Sequence, residues 1–183
     1  MLPMVGSWEI EHLDNPSKWF ALSRAYLDGS IRLCEDMISG GFARSFPNAQ
    51  VVMGLCHHSV ELFYKGVLHR AMGHPPDNSH NLFDLETDVK KIAPDVAAVF
   101  TCPFGLEPLP PGLDEGVIKK RVGNSQDQQF RYHLDRSGKP WEGIHGFMAE
   151  NFLEVLRSCA LQYDVISPPN SVATNGANPR YGR

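Results

Sequence analysis

Residues 48–72 read NAQVVMGLCHHSVELFYKGVLHRAM. No proline interrupts them, and Gly73 with Pro75-Pro76 ends them. Wound at about 100° per residue, Val51, Val52, Met53, Leu55, Cys56, Val60, Leu62, Phe63, Tyr64 and Val67 cover most of the circumference. A helix apolar over so wide an arc is central in a bundle, because one neighbour cannot cover it. The remaining stripe carries His57, His58, Glu61, Lys65 and His69. This stretch decides for helix packed on helix.

Upstream, residues 16–39 form a second amphipathic helix. Asn15 is its expected N-cap, and Pro16 at the first helical position lacks only an N–H that would be unpaired there anyway. Trp19, Phe20, Leu22, Tyr26, Leu27, Ile31, Leu33, Cys34, Met37 and Ile38 share its apolar half, and Gly40-Gly41 ends it. Downstream, a third helix begins near Leu82, with Asn81 as cap and Asp84 completing a variant of the capping box. Leu82, Leu85, Val89 and Ile92 make its stripe, Lys90 and Lys91 suit its C-terminal dipole, and Pro94 breaks it. Residues 95–101 read as a further helical turn.

Residues 102–115 hold four prolines and two glycines and read as a loop. Within 117–140 one run alternates, Phe130, Tyr132 and Leu134 against Arg131, His133 and Asp135. It predicts a short strand or extended arm, with a turn at Arg136-Ser137-Gly138. A last helix spans 143–166, with Ile144, Phe147, Met148, Phe152, Val155, Leu156, Cys159 and Tyr163 on its buried face. Residues 167–183, rich in Pro, Asn and Gly, predict a disordered tail. The expected architecture is all-α: an antiparallel bundle of four to five helices, one domain over 1–166, with a short arm or hairpin before the last helix.

The whole-chain numbers agree with this reading. A domain of 183 residues buries roughly 70% of its unfolded surface and needs no disulfide or metal to fold. A net charge of −4 argues against a chain built to coat nucleic acid. The four cysteines have no zinc-knuckle spacing, and Cys34, Cys56 and Cys159 fall on apolar helical faces, as reduced thiols do. The N-terminus lacks the pattern of a signal peptide, and no apolar run is long enough for a membrane span. The chain reads as cytoplasmic, with no membrane association.

The run GLCHHSVELFYKGVLHRAMGHPPDNSHNLFDL, residues 54–85, resembles the HEPN superfamily. The matching features are Glu61 with Lys65 four residues on, a short loop, and His80, Leu82 and Leu85 opening the next helix. The similarity covers about residues 16–100, and the final helix by position. The resemblance implies an all-α bundle and a homodimer. Many members are ribonucleases or stand beside nucleotidyltransferases in prokaryotic toxin–antitoxin and defence systems. The ribonuclease members carry Arg-x4-6-His late in the domain. No arginine here has a histidine at that spacing: Arg70 reaches His74 too soon and Arg136 reaches His145 too late. The resemblance therefore points to a non-nuclease member, or to one with a displaced site.

Three constellations bear on chemistry. His57 and Glu61 are one helical turn apart, and His58 and Glu61 are neighbours at i, i+3, as metal ligands on a helix would be. No second helix supplies a matching His-plus-carboxylate set, so no metal or other cofactor is expected. The alternatives are a polar seam, with Glu61–Lys65 as an i, i+4 pair worth about 0.2–0.5 kcal/mol, or a small-ligand or catalytic pocket. His80 either fixes the entry to its helix or acts as an acid–base group.

Third, 117–140 holds Lys119, Lys120, Arg121, Arg131, Arg136 and Lys139 against Asp127 and Asp135, a net +4 that leaves −8 for the rest. Interleaved amides and aromatics suit phosphates and stacked bases. The alternative is a solvated loop, or an arm packed on its own bundle. Two functions compete. One is a binding module associating with RNA, a nucleotide or a partner protein. The other is a metal-independent ribonuclease with His80 or His133 as acid–base and Arg131 as anion stabiliser.

Overall fold

The computed structural model describes residues 5–77, 79–105, 116, 123, 128–130, 132, 135, 137–139 and 146–168. Among them are a single 3₁₀ turn, Ser7–Glu9, and five α-helices: α1 Asn15–Ser39, α2 Phe46–Met72, α3 Leu82–Ile92, α4 Pro94–Val99 and α5 Ala149–Ile166. No strand occurs among the described residues, and the chain is the expected all-α bundle.

α1 and α2 form an antiparallel hairpin. Trp19 bonds His69, Ser23 bonds Ser59, and Ser30 bonds Val52, so one number falls as the other rises. α5 runs back along α1: Cys34 Sγ reaches the Ala149 carbonyl, and Arg24 pairs with Asp164. α3 packs on α2, and α4 joins α3 to α5. α2 is thereby enclosed, and 16 of its residues are buried. An aromatic cluster closes the core: Phe63 of α2 stacks on Tyr163 of α5 at 4.1 Å, and Phe100 after α4 lies 4.8 Å from Phe63.

The expected boundaries need three corrections. Asp14, not Asn15, caps α1, its carboxylate accepting from the Ser17 N–H at 2.7 Å. α2 starts two residues earlier than expected, capped by Ser45, since Pro47 fits the first turn. α5 starts at Ala149, because the backbone at Met148 is extended. Its buried side is Ala149, Leu153, Leu156, Cys159 and Tyr163, whereas Met148 and Val155 are exposed. On α1 the fully buried positions include Ser23 and Ser30, while Leu22 and Tyr26 lie at the exposed margin. Small hydroxyl side chains win those places because α1 and α2 approach closely there. Ser23 and Ser59 each donate to the other's carbonyl, at 2.8 and 2.7 Å, and Ser59 Oγ lies 3.2 Å from Tyr163 Oη.

The expected arm falls largely outside the described residues. Just before the alternating run Gln128 and Gln129 are helical, and the Tyr132 N–H donates to the Gln128 carbonyl at 2.9 Å, while Arg131, His133 and Leu134 lie outside the described residues. The turn expected at 136–138 is present: the Asp135 carboxylate accepts from the N–H groups of Ser137 and Lys139, with Gly138 at φ 78°. The tail from 169 and helix residues 143–145 lie outside the described residues.

Candidate functional site

Glu61 lies in the middle of α2, on the turn facing the entry to α3. It is 1% exposed, and Lys65 is 5% exposed. Lys65 Nζ donates to Glu61 Oε1 at 2.7 Å. His80 Nδ1 reaches the same oxygen at 2.9 Å. A carboxylate only accepts, so this bond places the His80 proton on Nδ1. Asn81, next in sequence, caps α3 by accepting from the Phe83 N–H at 3.0 Å. His80 thus fastens the α3 entry to α2, and its ring stays half exposed. On the other oxygen, His58 Nδ1 stands 3.6 Å from Glu61 Oε2, beyond hydrogen-bond range. Tyr26 of α1 meets the His58 ring edge-on at 4.5 Å.

One turn further along α2, the Trp19 indole N–H donates to His69 Nδ1 at 3.2 Å, and Lys65 Nζ lies 6.0 Å from the Trp19 ring. The ammonium is therefore enclosed by a carboxylate and an indole face, each of which favours its charge.

Burial alone would raise the Glu61 pKa. The facing His58, the hydrogen bond and charge of Lys65, and the charge of His80 outweigh it and hold the carboxyl at about 2. The polar seam is thus a buried charged cluster and not a surface i, i+4 pair. A buried pair of this kind is weak evidence for net stability, yet removing one partner is severe, because it strands the other charge.

The structure brings His58, Glu61, Lys65 and His80 together. It separates His57, whose ring packs against Phe104 at 5.3 Å and Phe130 at 5.5 Å. Lys139 is exposed on the 135–139 turn. Lys119, Lys120, Arg121, Arg131, His133 and Arg136 lie outside the described residues. Two described residues of the basic segment, Gln129 and Phe130, rest on α2. Phe130 sits against Gly54, so close that a Cβ there would come within 3.2 Å of it, and Gln50 donates to the Gln129 carbonyl at 3.3 Å.

Trp19, Tyr26 and His69 complete the cluster. Trp19 and Tyr26 sit among the apolar residues of α1 in the sequence, and only the antiparallel pairing sets them opposite His69 and His58. The thiols are not nucleophiles here: burial raises Cys34 and Cys56, and pushes Cys102 up to about 11 and Cys159 up to about 12. Among the described residues no three His, Cys, Asp or Glu side chains are arranged to hold a metal ion. No helix of the described residues is long and apolar enough to cross a membrane. Comparison of the chain with family models, curated proteins and solved structures finds no match in any of the three.

Proposed function

We propose that this chain is a HEPN-like, non-catalytic binding module. It works as a cytoplasmic homodimer and takes a phosphate-bearing ligand, RNA or a nucleotide, along the basic segment 117–140. The observation that carries this reading is the charge of that segment, +4 against −8 for the rest, in a stretch whose described part is anchored on α2 through Phe130 and Gln129 while Tyr132 and Lys139 stay exposed. A cationic strip with an exposed aromatic, held against an anionic bundle, attracts phosphates and stacks bases.

A second reading, a metal-independent ribonuclease with a displaced site, has His80 in its favour. A half-exposed imidazole oriented through Nδ1 by a buried carboxylate is the arrangement of a positioned general base. Against it stands the missing Arg-x4-6-His pattern.

Binding of short labelled RNAs across a salt series tests the first reading. Each phosphate contact adds about 0.7–0.9 to the slope of log affinity against log salt. Changing Lys119, Lys120 and Arg121 together to Ala should weaken binding and flatten the slope, whereas Arg131→Ala should shift base preference more than slope. Absence of binding at low salt in the wild type would leave the segment as a protein-contact element. RNA cleavage in EDTA, abolished by His80→Ala, would establish the second reading instead. Sedimentation of the free protein should give twice the 20.4 kDa chain mass.

A further inference from the structure

On the opposite side of α1 from the Glu61 cluster, α1 and α5 enclose a cavity of about 420 Å³. Its floor is apolar: Phe20, Ala21 and Phe63. Phe20 meets Phe63 edge to face at 5.7 Å, giving the floor a fixed aromatic corner. Its rim is polar and unusual in composition. Arg24 is held between two carboxylates, with Nε 2.8 Å from Asp28 Oδ1 and Nη1 bonded to Asp164 Oδ1. One arginine therefore uses one oxygen from each aspartate. The second oxygen of each has no hydrogen-bond partner among the described residues. The rim carries one positive and two negative charges, and its free groups are mainly acceptors. Arg70, whose guanidinium lies 4.9 Å over the Phe20 ring, is tied to the Ile166 carbonyl and does not line the cavity.

A cavity of this size with an apolar floor and a few convergent polar groups fits a small molecule. The charge balance selects among small molecules. An anionic head would meet two carboxylates and an arginine already engaged by both. A cationic head with several N–H donors meets two free carboxylate oxygens at the solvent-facing rim, and bonds to an ionised acceptor are stronger than neutral ones. From this geometry we infer that the α1–α5 cavity is a binding site for a small aromatic amine, with the ring on Phe20, Ala21 and Phe63 and the ammonium on a carboxylate oxygen of Asp28 or Asp164 that Arg24 leaves free. None of the described lining residues belongs to the basic segment, and the inference is independent of the function proposed above.

The test uses two probes with one ring and opposite heads, tryptamine and indole-3-acetate, titrated into the ¹⁵N-labelled full chain. Tryptamine should give saturable shifts centred on Ala21, Phe63 and Asp164, at least about tenfold tighter than indole-3-acetate, the weight of one charge-assisted hydrogen bond. Asp164→Asn should weaken tryptamine by about tenfold and leave indole-3-acetate unchanged or improved. Ala21→Leu, which fills the floor, should abolish site shifts while the remaining spectrum stays dispersed, a control for folding. Equal affinity for the two probes, or shifts spread over the acidic surface and insensitive to Ala21→Leu, would overturn the assignment. So would the absence of saturable shifts with tryptamine.

Discussion

At the scale of the residue, Glu61 decides how the molecule responds to acid. Its carboxyl holds a pKa of about 2 in the fold against 4.5 in the free side chain. Between those values the unfolded chain binds more protons than the native one, so stability falls as pH falls through this window and is fully present above it. The whole effect is on the order of 3 kcal/mol. Thermal melts from pH 6 to pH 2.5 should show this loss, and Glu61→Gln, isosteric but without the charge, should melt with a flatter acid limb. Lys65→Met should be worse than either at neutral pH, by about 3–5 kcal/mol, because it leaves a buried carboxylate without its ammonium. A loss below about 1 kcal/mol, the worth of an exposed pair, would show that water reaches the cluster. The sequence names His58, Glu61, Lys65 and His80 at the centre of this cluster but misjudges the depth of Glu61 and Lys65. The apolar circumference of 48–72 that makes α2 central also implies that the polar side chains of its stripe are enclosed. A single-helix pattern does not show which neighbour covers them.

At the scale of the element, the α1–α2 hairpin depends on small residues at its closest approach. A Cβ added at Gly66 would come within 2.9 Å of Phe20 Cε1. That ring is held by Phe63 at its edge and Arg70 over its face, so it has little room to yield. Gly66→Ala gains about 1 kcal/mol of helix propensity but overpacks the interface by about 1–3 kcal/mol. The expected net result is a loss of about 1 kcal/mol, measured by urea denaturation. A stabilised variant would mean that Phe20 swings freely. Existence and type of the helices are legible in the sequence because apolar spacing and the Gly and Pro stops agree. The start of α5 is not, since Ile144, Phe147 and Met148 continue the apolar pattern past the point where the backbone turns extended. Ser23 and Ser30 escape notice for the same reason that they matter: they are small and polar, and their burial depends on the carbonyls of a facing helix.

At the scale of the whole molecule, the pattern of burial sets the order in which parts open. The middle of α2 is covered from every side, whereas α4 has six residues and one of them buried. Amides of α2 between Cys56 and Leu68 should exchange only through global unfolding, and those of α4 through local opening. Hydrogen exchange followed by mass spectrometry would show this order, and equal protection of α4 and α2 would contradict it. α5 supplies the stacked Tyr163 and runs along α1, yet about fifty residues of chain separate it from α4. During synthesis the N-terminal part leaves the ribosome first. The hairpin of α1 and α2, joined by six residues, can close at once through local contacts. Phe63 then waits for its stacking partner for several seconds at a translation rate of about 5–20 residues per second. For that interval the nascent chain displays an aromatic face open to chaperone capture, and the arrival of α5 covers it.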